Sequence, residues 1–259
     1  MSGYYLTINA DDFGFARDVN AGIVEAHREG VLTSTTLMAN GDAFEDAVNL
    51  AGDTPTLDMG CHLVLVQGCS TLTGRPLPAK ILQLVPMLMT GKLDAYAEFA
   101  AQIEKIVAAG IRPSHLDTHK HTHLLPKVFR AVVRLAQEYS IPYVRLPVDT
   151  TLPFTGTIRR YYDRMLAPEV LTTDHFIGFR LTGSLTEATL AEALSRLPEG
   201  RTEFMCHPGH LGDDLARART RLKESRVKEL EALISPRVRE IIAAREIRLG
   251  PFSREEIRK

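Results

Sequence analysis

The segment 114–126, SHLDTHKHTHLLP, contains four of the nine histidines of the chain. Within it, histidine or aspartate occupies every second position from 115 to 123. Because successive side chains of a strand point to opposite faces, an extended conformation would bring these groups to one face, where burying them without a ligand is costly. Imidazoles with a carboxylate are a frequent ligand set for a divalent metal ion, so the spacing predicts a metal site. The residues concerned are His115, Asp117, His119, His121 and His123.

Two other interpretations of this segment stay open: a solvated, histidine-rich loop, and adventitious metal binding. His119 and His123 would also share a face if the chain turned helical early. Only some of the histidines can bind a metal directly. The remaining ones are expected to orient the ligands or to contact a substrate.

Ionisable residues also stand where other predicted strands end. The carboxyl ends of parallel strands form the active site of α/β folds, so these residues are expected to meet the histidine segment in space. A random scatter would not place such groups at five strand ends. The further residues are Asp11 and Asp12 after YLTINA, His62 in MGCHLVL, Arg145 in YVRLP and His207 after EFMC.

The adjacent pair Asp11-Asp12 has two interpretations. It could be an exposed turn or a helix N-cap, where aspartate is favoured. Alternatively, one carboxylate binds a metal and its neighbour stays free as a base. The second interpretation requires the strand to twist or end between them. His62, which stands in an apolar run, could equally be an ordinary core histidine.

Short β-rich runs alternate with amphipathic segments along nearly the whole chain, which implies right-handed βαβ units and mainly parallel strands. The sequence therefore predicts an α/β fold, a distorted or incomplete (β/α) barrel, with a doubly wound open sheet as the alternative. Strands are predicted at 5–10, 33–39, 59–65, 113–119, 143–147, 175–181, 203–206 and 246–250. Helices are predicted at 17–29, 42–51, 94–109, 126–139, 157–166, 186–196 and 219–245.

A length of 259 residues is normal for one such barrel, and no linker divides the chain. We therefore expect a single domain over 1–259, with loop insertions at 66–93 and 148–174. Within the first insertion, the apolar stretch 81–89 could be a core helix, a lid, a lipid-facing patch or the contact of a homodimer.

The composition excludes several classes of protein. A net charge of −1 favours neither nucleic acid nor an anionic membrane as partner, and the basic residues between 217 and 248 are interleaved with acidic ones, as on a solvated helix face. We expect no signal peptide, and no apolar run in the sequence reaches membrane-spanning length. Three cysteines without CxxC spacing predict a reduced, cytoplasmic protein.

Taken together, five motifs resemble the YdjC-like carbohydrate deacetylases, the ChbG/HpnK family. They are NADDFG, TSTTLMAN, GCHLVL, SHLDTHKHTH followed by proline, and EFMCHPG. They occur in the order of the family, and the match covers almost the full length.

The resemblance implies a distorted (β/α) barrel that removes the acetyl group from an N-acetylglucosamine-containing carbohydrate, a chitooligosaccharide or a hopanoid glycolipid. It implies one divalent metal ion, Zn²⁺ or Mg²⁺ with Mn²⁺ and Co²⁺ as alternatives, held by Asp12, His62 and His119. It makes Asp11 the general base and His207 the general acid. The chain departs from the family's HHH at His119-Lys120-His121, which places a cation near the site.

The sequence leaves two alternatives to the deacetylase. One is another metal-dependent barrel hydrolase, amidohydrolase-like or a phosphoesterase, suggested by His-x-His at 119–121. In amidohydrolases, however, that motif lies on the first strand. The other is a non-catalytic module that binds metal or sugar, which would need neither a free aspartate nor His207.

Overall fold

Eight parallel strands form one curved sheet. The computed structural model describes residues 3–146, 148–153 and 155–252. The strands are β1 (Tyr4–Phe13), β2 (Ser34–Leu37), β3 (Asp58–Leu63), β4 (His115–Thr118), β5 (Tyr143–Val144), β6 (His175–Ile177), β7 (Gly200–Cys206) and β8 (Arg248–Leu249). Each of the predicted strands is confirmed, with shifted ends, except that residue 147, the end of the strand predicted at 143–147, lies outside the described residues.

Helices connect the strands and cover the outer face of the sheet. They are α1 (Arg17–Arg28), α2 (Phe44–Gly52), α3 (Ile81–Met89), α4 (Ala95–Ala108), α5 (Pro126–Glu138), α6 (Thr155–Asp163), α7 (Glu187–Ser195), α8 (Asp213–Arg217), α9 (Glu224–Ile234) and α10 (Pro236–Ala244). The single helix predicted over 219–245 is wrong. Pro236 starts a new helix there, because proline has no N–H to continue the preceding one.

The sheet is an open barrel. Its strands follow the order β5-β4-β3-β2-β1-β7-β6, and β8 pairs with Tyr5 and Leu6 of β1. Within the described residues, the end strands β5 and β6 do not pair with each other. Residues of 148–174 lie across the gap: the N–H of Thr150 donates to the carbonyl of Phe176 at 2.8 Å. The predicted incomplete barrel is confirmed.

Both faces of β1 are buried, but they differ in polarity. The outward side chains join the apolar core beneath the helices, whereas the inward ones hydrogen-bond across the barrel interior. The interior is therefore polar and can hold ionisable groups. The outward residues are Leu6, Ile8 and Ala10, and the inward ones include Asn9 and Asp11.

Among the described residues, no helix combines the length and apolar character that crossing a membrane requires.

Candidate active site

Three side chains, from β1, from β3 and from the residue that follows β4, converge at the carboxyl edge of the sheet. Oδ1 of Asp12 lies 3.1 Å from Nδ1 of His119, and Nε2 of His62 lies 3.4 Å from Oδ1 of Asp12 and 3.2 Å from Nδ1 of His119. Around a tetrahedral ion with bonds of about 2.0–2.1 Å, ligand atoms are spaced by about 3.3 Å. The three predicted ligands therefore fit a divalent ion in both chemistry and spacing.

The backbone at Asp12 explains how two adjacent aspartates face the same end of the barrel. The register between β1 and β2 breaks between Ala10 and Phe13, and Asp12 has a φ of 72°, in the left-handed region. This conformation is unfavourable for a residue with a side chain. The strand thus twists at the pair, as the functional interpretation required.

The alternation of the histidine segment stops early, which corrects the expectation of one strand with five groups on one face. The strand β4 ends at Thr118, and residues 119–124 form a 3₁₀ segment in which Lys120 and His121 are left-handed, with φ of 54° and 50°. His121 consequently lies against Phe179, with ring centroids 4.8 Å apart. His123 turns into the core and contacts Oγ1 of Thr118 at 2.5 Å.

Left-handed residues gather around one cavity of about 910 Å³ at this edge. Asp12, Gln67, Lys120 and His121 all have positive φ, and all four line it. Strained conformations of this kind tend to concentrate at functional sites. The cavity is also lined by Asp11, His62, His119 and His207.

Each imidazole of the candidate ligand set, His62 and His119, contacts a second residue through one ring nitrogen. This contact determines which nitrogen faces the candidate ion. Nδ1 of His62 donates to Oδ1 of Asp117 at 2.7 Å, which turns Nε2 toward the site. Nε2 of His119 lies 3.4 Å from Oε1 of Gln67, so its Nδ1 faces the site. Thr36 donates to Asp117 and holds that carboxylate. Asp117 therefore lies behind His62, on the side of the imidazole away from the candidate ion.

Arg145 occupies the centre of the barrel and binds three carboxylates. Its guanidinium reaches Asp11 at 2.7 and 2.8 Å, Asp117 at 2.7 Å and Glu203 at 2.6 Å. Burial alone would raise the pKa of Asp11, but the Arg145 guanidinium, with help from His62, holds it well below its usual range. Burial raises the pKa of Glu203 to about 7.

Arg226 of α9 is a second buried guanidinium, and the interpretation of 217–248 as a solvated helix face is wrong at this residue. It is 1% exposed, and its Nη2 donates to Oδ2 of Asp12. Burial opposes ionisation of Asp12, yet Arg226 and the two histidines hold its pKa well below the usual value. Asp12 is therefore ionised and ready to bind a cation.

His207 follows β7 and lines the cavity. Its backbone N–H donates to Oε2 of Glu229 at 2.6 Å, which anchors the loop. Burial lowers the pKa of its imidazole to about 4, so the ring is neutral near pH 7.

Most predicted site residues are brought together, but in two layers. Arg145 and Asp117 lie beneath the cavity, and His115 lies deeper and contacts Asn9. Sequence reasoning missed four participants. For two of them, the sequence contains a signal, namely a polar residue in an otherwise apolar strand. These two are Glu203 in EFMC and Asn9, which comes shortly before the aspartates. The other two are Gln67 and Arg226.

We expect metal affinity to rise with pH, because a proton competes for His62. Burial lowers the pKa of His62, but the Asp117 and Asp11 carboxylates outweigh it and raise the pKa to about 10. The imidazole is thus protonated below that pH, and an ion must displace this proton. Affinity should increase about tenfold per pH unit between about pH 7 and 9, with about one proton released per ion.

Isothermal titration with Zn²⁺ in two buffers of different ionisation enthalpy measures that release. The Asp117→Asn variant lacks the negative charge that raises the pKa of His62. A smaller fraction of His62 is then protonated before the ion binds, so the variant should release fewer protons per ion than the wild type. An affinity that stays constant over this range would contradict the competition.

A pair of histidines and one aspartate beside a second carboxylate, at the carboxyl edge of a parallel barrel, is typical of metal-dependent hydrolases. The chain belongs to the YdjC-like protein family, whose model matches residues 5–244.

Relatives and a solved structure agree with this family. A carbohydrate deacetylase of Brevibacillus brevis is 36% identical over an alignment of 267 positions, which covers 96% of this chain and 98% of the relative. A chitooligosaccharide deacetylase of Salmonella typhimurium is 34% identical over 257 residues, covering 95% and 97%. A crystal structure from Enterococcus faecalis V583, of a protein with a proposed role in cellobiose-phosphate cleavage, superposes with a TM-score of 0.81 at 28% identity, covering 97% and 98%.

Proposed function

We propose that this protein is a metal-dependent deacetylase that hydrolyses the N-acetyl group of an N-acetylglucosamine-containing carbohydrate to acetate and a free amine. The observation that carries the proposal is the Asp12–His62–His119 set beside the carboxylate of Asp11 in one cavity. The names of the relatives, carbohydrate deacetylase and chitooligosaccharide deacetylase, support the same reaction.

A bound divalent ion would polarise the acetamide carbonyl and lower the pKa of a water molecule. Two imidazoles and one carboxylate favour Zn²⁺, and also suit Mn²⁺ or Co²⁺. Mg²⁺ prefers oxygen ligands, which makes it the weaker candidate.

Asp11 takes the proton of the attacking water, and His207 protonates the amine as the carbon–nitrogen bond breaks. Arg145 keeps Asp11 ionised, so its carboxylate can accept a proton near neutral pH. Because the His207 ring starts neutral, it must receive the proton it donates during turnover. Asp11 lies in the same cavity and can pass on the proton that it took from water. The proton that reaches the amine through His207 then comes from the attacking water, and the reaction needs no other proton source.

The substrate is proposed to be a chitooligosaccharide. A second cavity of about 890 Å³ shares Phe15, Gln67 and His119 with the first, so the site offers room for more than one sugar unit. A glycolipid is the second candidate. The observation in its favour is α3, near the second cavity, which exposes Leu82 at 85% and Met89 at 79%.

The exposed face of α3 also supports a homodimer contact. Leu82→Gln separates the three roles. If α3 contacts lipid, the substitution should impair turnover of the glycolipid but not of the soluble sugar. If α3 is a subunit contact, it should dissociate the dimer in analytical sedimentation. If α3 is a free surface, turnover and oligomeric state should both stay unchanged.

The three cysteines are free, which supports a reducing, cytoplasmic location.

The decisive experiment measures acetate released from di-N-acetylchitobiose by protein stripped of metal and resupplied with Zn²⁺, Mn²⁺, Co²⁺ or Mg²⁺. We expect release only after an ion is returned. Hydrolysis of p-nitrophenyl phosphate without acetate release would favour a phosphoesterase. Tight binding of the sugar without acetate release would favour the non-catalytic module. No release from this sugar or from an N-acetylglucosaminyl lipid, with any ion, would overturn the proposal.

A further inference from the structure

A chain of hydrogen bonds, buried from His115 onward, runs from the lower part of the barrel to the carboxylate of Asp11. Oγ of Ser114 lies 2.8 Å from Nδ1 of His115, and Nε2 of His115 lies 2.9 Å from Oδ1 of Asn9. Nδ2 of Asn9 donates to Oδ1 of Asp11 at 3.1 Å. Asn9 and His115 are both fully buried, so water does not replace these contacts.

The ionised carboxylate of Asp11, at the end of the chain, determines which group donates in each of these hydrogen bonds. An ionised carboxylate only accepts, so the NH₂ group of Asn9 must face Asp11 and its Oδ1 must face His115. Nε2 of His115 then carries the proton. Burial and Arg145 keep the pKa of His115 well below its usual value, so Nδ1 is an acceptor and Ser114 donates to it.

The imidazole of His115 is held so that it cannot turn. Its ring stacks on Phe252 with centroids 4.0 Å apart. On the β3 side, a Cβ atom at Gly60 would lie 2.6 Å from Nδ1 of His115, so only glycine allows the ring this close. The donor that fixes Asn9 is therefore rigid.

The two oxygens of Asp11 end up in different states. Oδ1 accepts from Asn9 and from Nη2 of Arg145, which uses both of its lone pairs. Among the described residues, Oδ2 accepts only from Nη1 of Arg145. One lone pair of Oδ2 is thus free, in a residue that lines the cavity.

We infer that Asn9, oriented by His115, is a positioning residue that blocks Oδ1 of Asp11 and makes Oδ2 the atom that takes the proton from water. The inference rests on the proposed function, in which Asp11 is the base. Neither Asn9 nor His115 contacts the reacting atoms; both act through the carboxylate.

Asn9→Leu tests the inference. Without the amide, both oxygens of Asp11 have a free lone pair, and the carboxylate can settle in orientations that do not meet the water. We expect kcat for acetate release to fall about 10–100-fold, because misplacing a reacting group costs about that much. KM and metal content should stay close to those of the wild type.

A pair of variants at His115 gives a second, independent readout. His115→Leu removes the donor to Asn9 and should lower kcat like Asn9→Leu. His115→Gln keeps an N–H donor near the same place and should recover most of the activity. A merely structural role would not separate these two variants by kcat at equal folded fraction. This pair decides the matter if Asn9→Leu fails to fold.

The matched control is Gln102→Leu, which removes a fully buried amide that bonds Val64 and Glu98 away from the site. It should lose stability but keep its kcat. If Asn9→Leu and His115→Leu keep wild-type kcat while Asp11→Asn is inactive, the inference fails and the proposed function stands. If the metal-loaded wild type releases no acetate from any substrate, the proposed function fails, and the inference with it.

Discussion

Replacement of Asp11 with asparagine is expected to lower kcat for acetate release by about 10²–10⁴-fold while a divalent ion still binds. The amide has the shape of the carboxylate but cannot accept a proton from water near neutral pH. The ligand set Asp12, His62 and His119 is untouched, so metal content by atomic absorption should equal that of the wild type.

Loss of activity in that variant could also come from unfolding, so a matched control is needed. Glu98→Gln removes another buried carboxylate, one that binds Ser70 and the N–H of Thr71 outside the site. It should keep kcat. Full activity of Asp11→Asn would remove this residue from the reaction, and loss of the ion would assign it a role in binding.

Arg145→Met is expected to lower the free energy of unfolding by about 3–5 kcal/mol. Methionine fills much of the arginine's volume but leaves the buried carboxylates of Asp11, Asp117 and Glu203 without the charge that compensates them. Urea unfolding followed by circular dichroism measures the loss.

The control for this prediction is an ion pair of similar length at the surface. Nε of Arg134 lies 2.8 Å from Oε1 of Glu138, but the arginine side chain is 65% exposed. Solvent screens that pair, so Arg134→Met should leave the unfolding midpoint almost unchanged. Equal effects of the two substitutions would mean that burial does not govern the strength of these contacts.

The fold was largely predictable from the sequence because its signals are local. Each apolar run is followed by an amphipathic segment, and that alternation alone implies a parallel sheet. The alternation does not predict whether β5 and β6 pair to close the barrel, because closure depends on how the two ends of the sheet meet in space. The 3₁₀ segment 119–124 was also missed, because its left-handed residues are not glycines.

The site was predictable where strand ends carry unusual residues, as at Asp11, Asp12 and His62. Arg226 could not be found in this way. Its partner Asp12 lies 214 positions earlier, and nothing in the helix α9 distinguishes this arginine from its solvated neighbours. Burial of a charge is a property of the tertiary contact, which a local pattern does not contain.

The central position of β1 has a consequence for how the chain folds. The first strand pairs with β7 from Tyr4 to Ala10, and with β8 nearer its start. Contacts of such long sequence separation slow folding, because the entropy of closing the loop is lost before the contacts form. On the ribosome, β1 must wait for its main partner until most of the chain has been synthesised. The aspartates it carries can therefore reach their final contacts only after β7 and Arg226 have been synthesised.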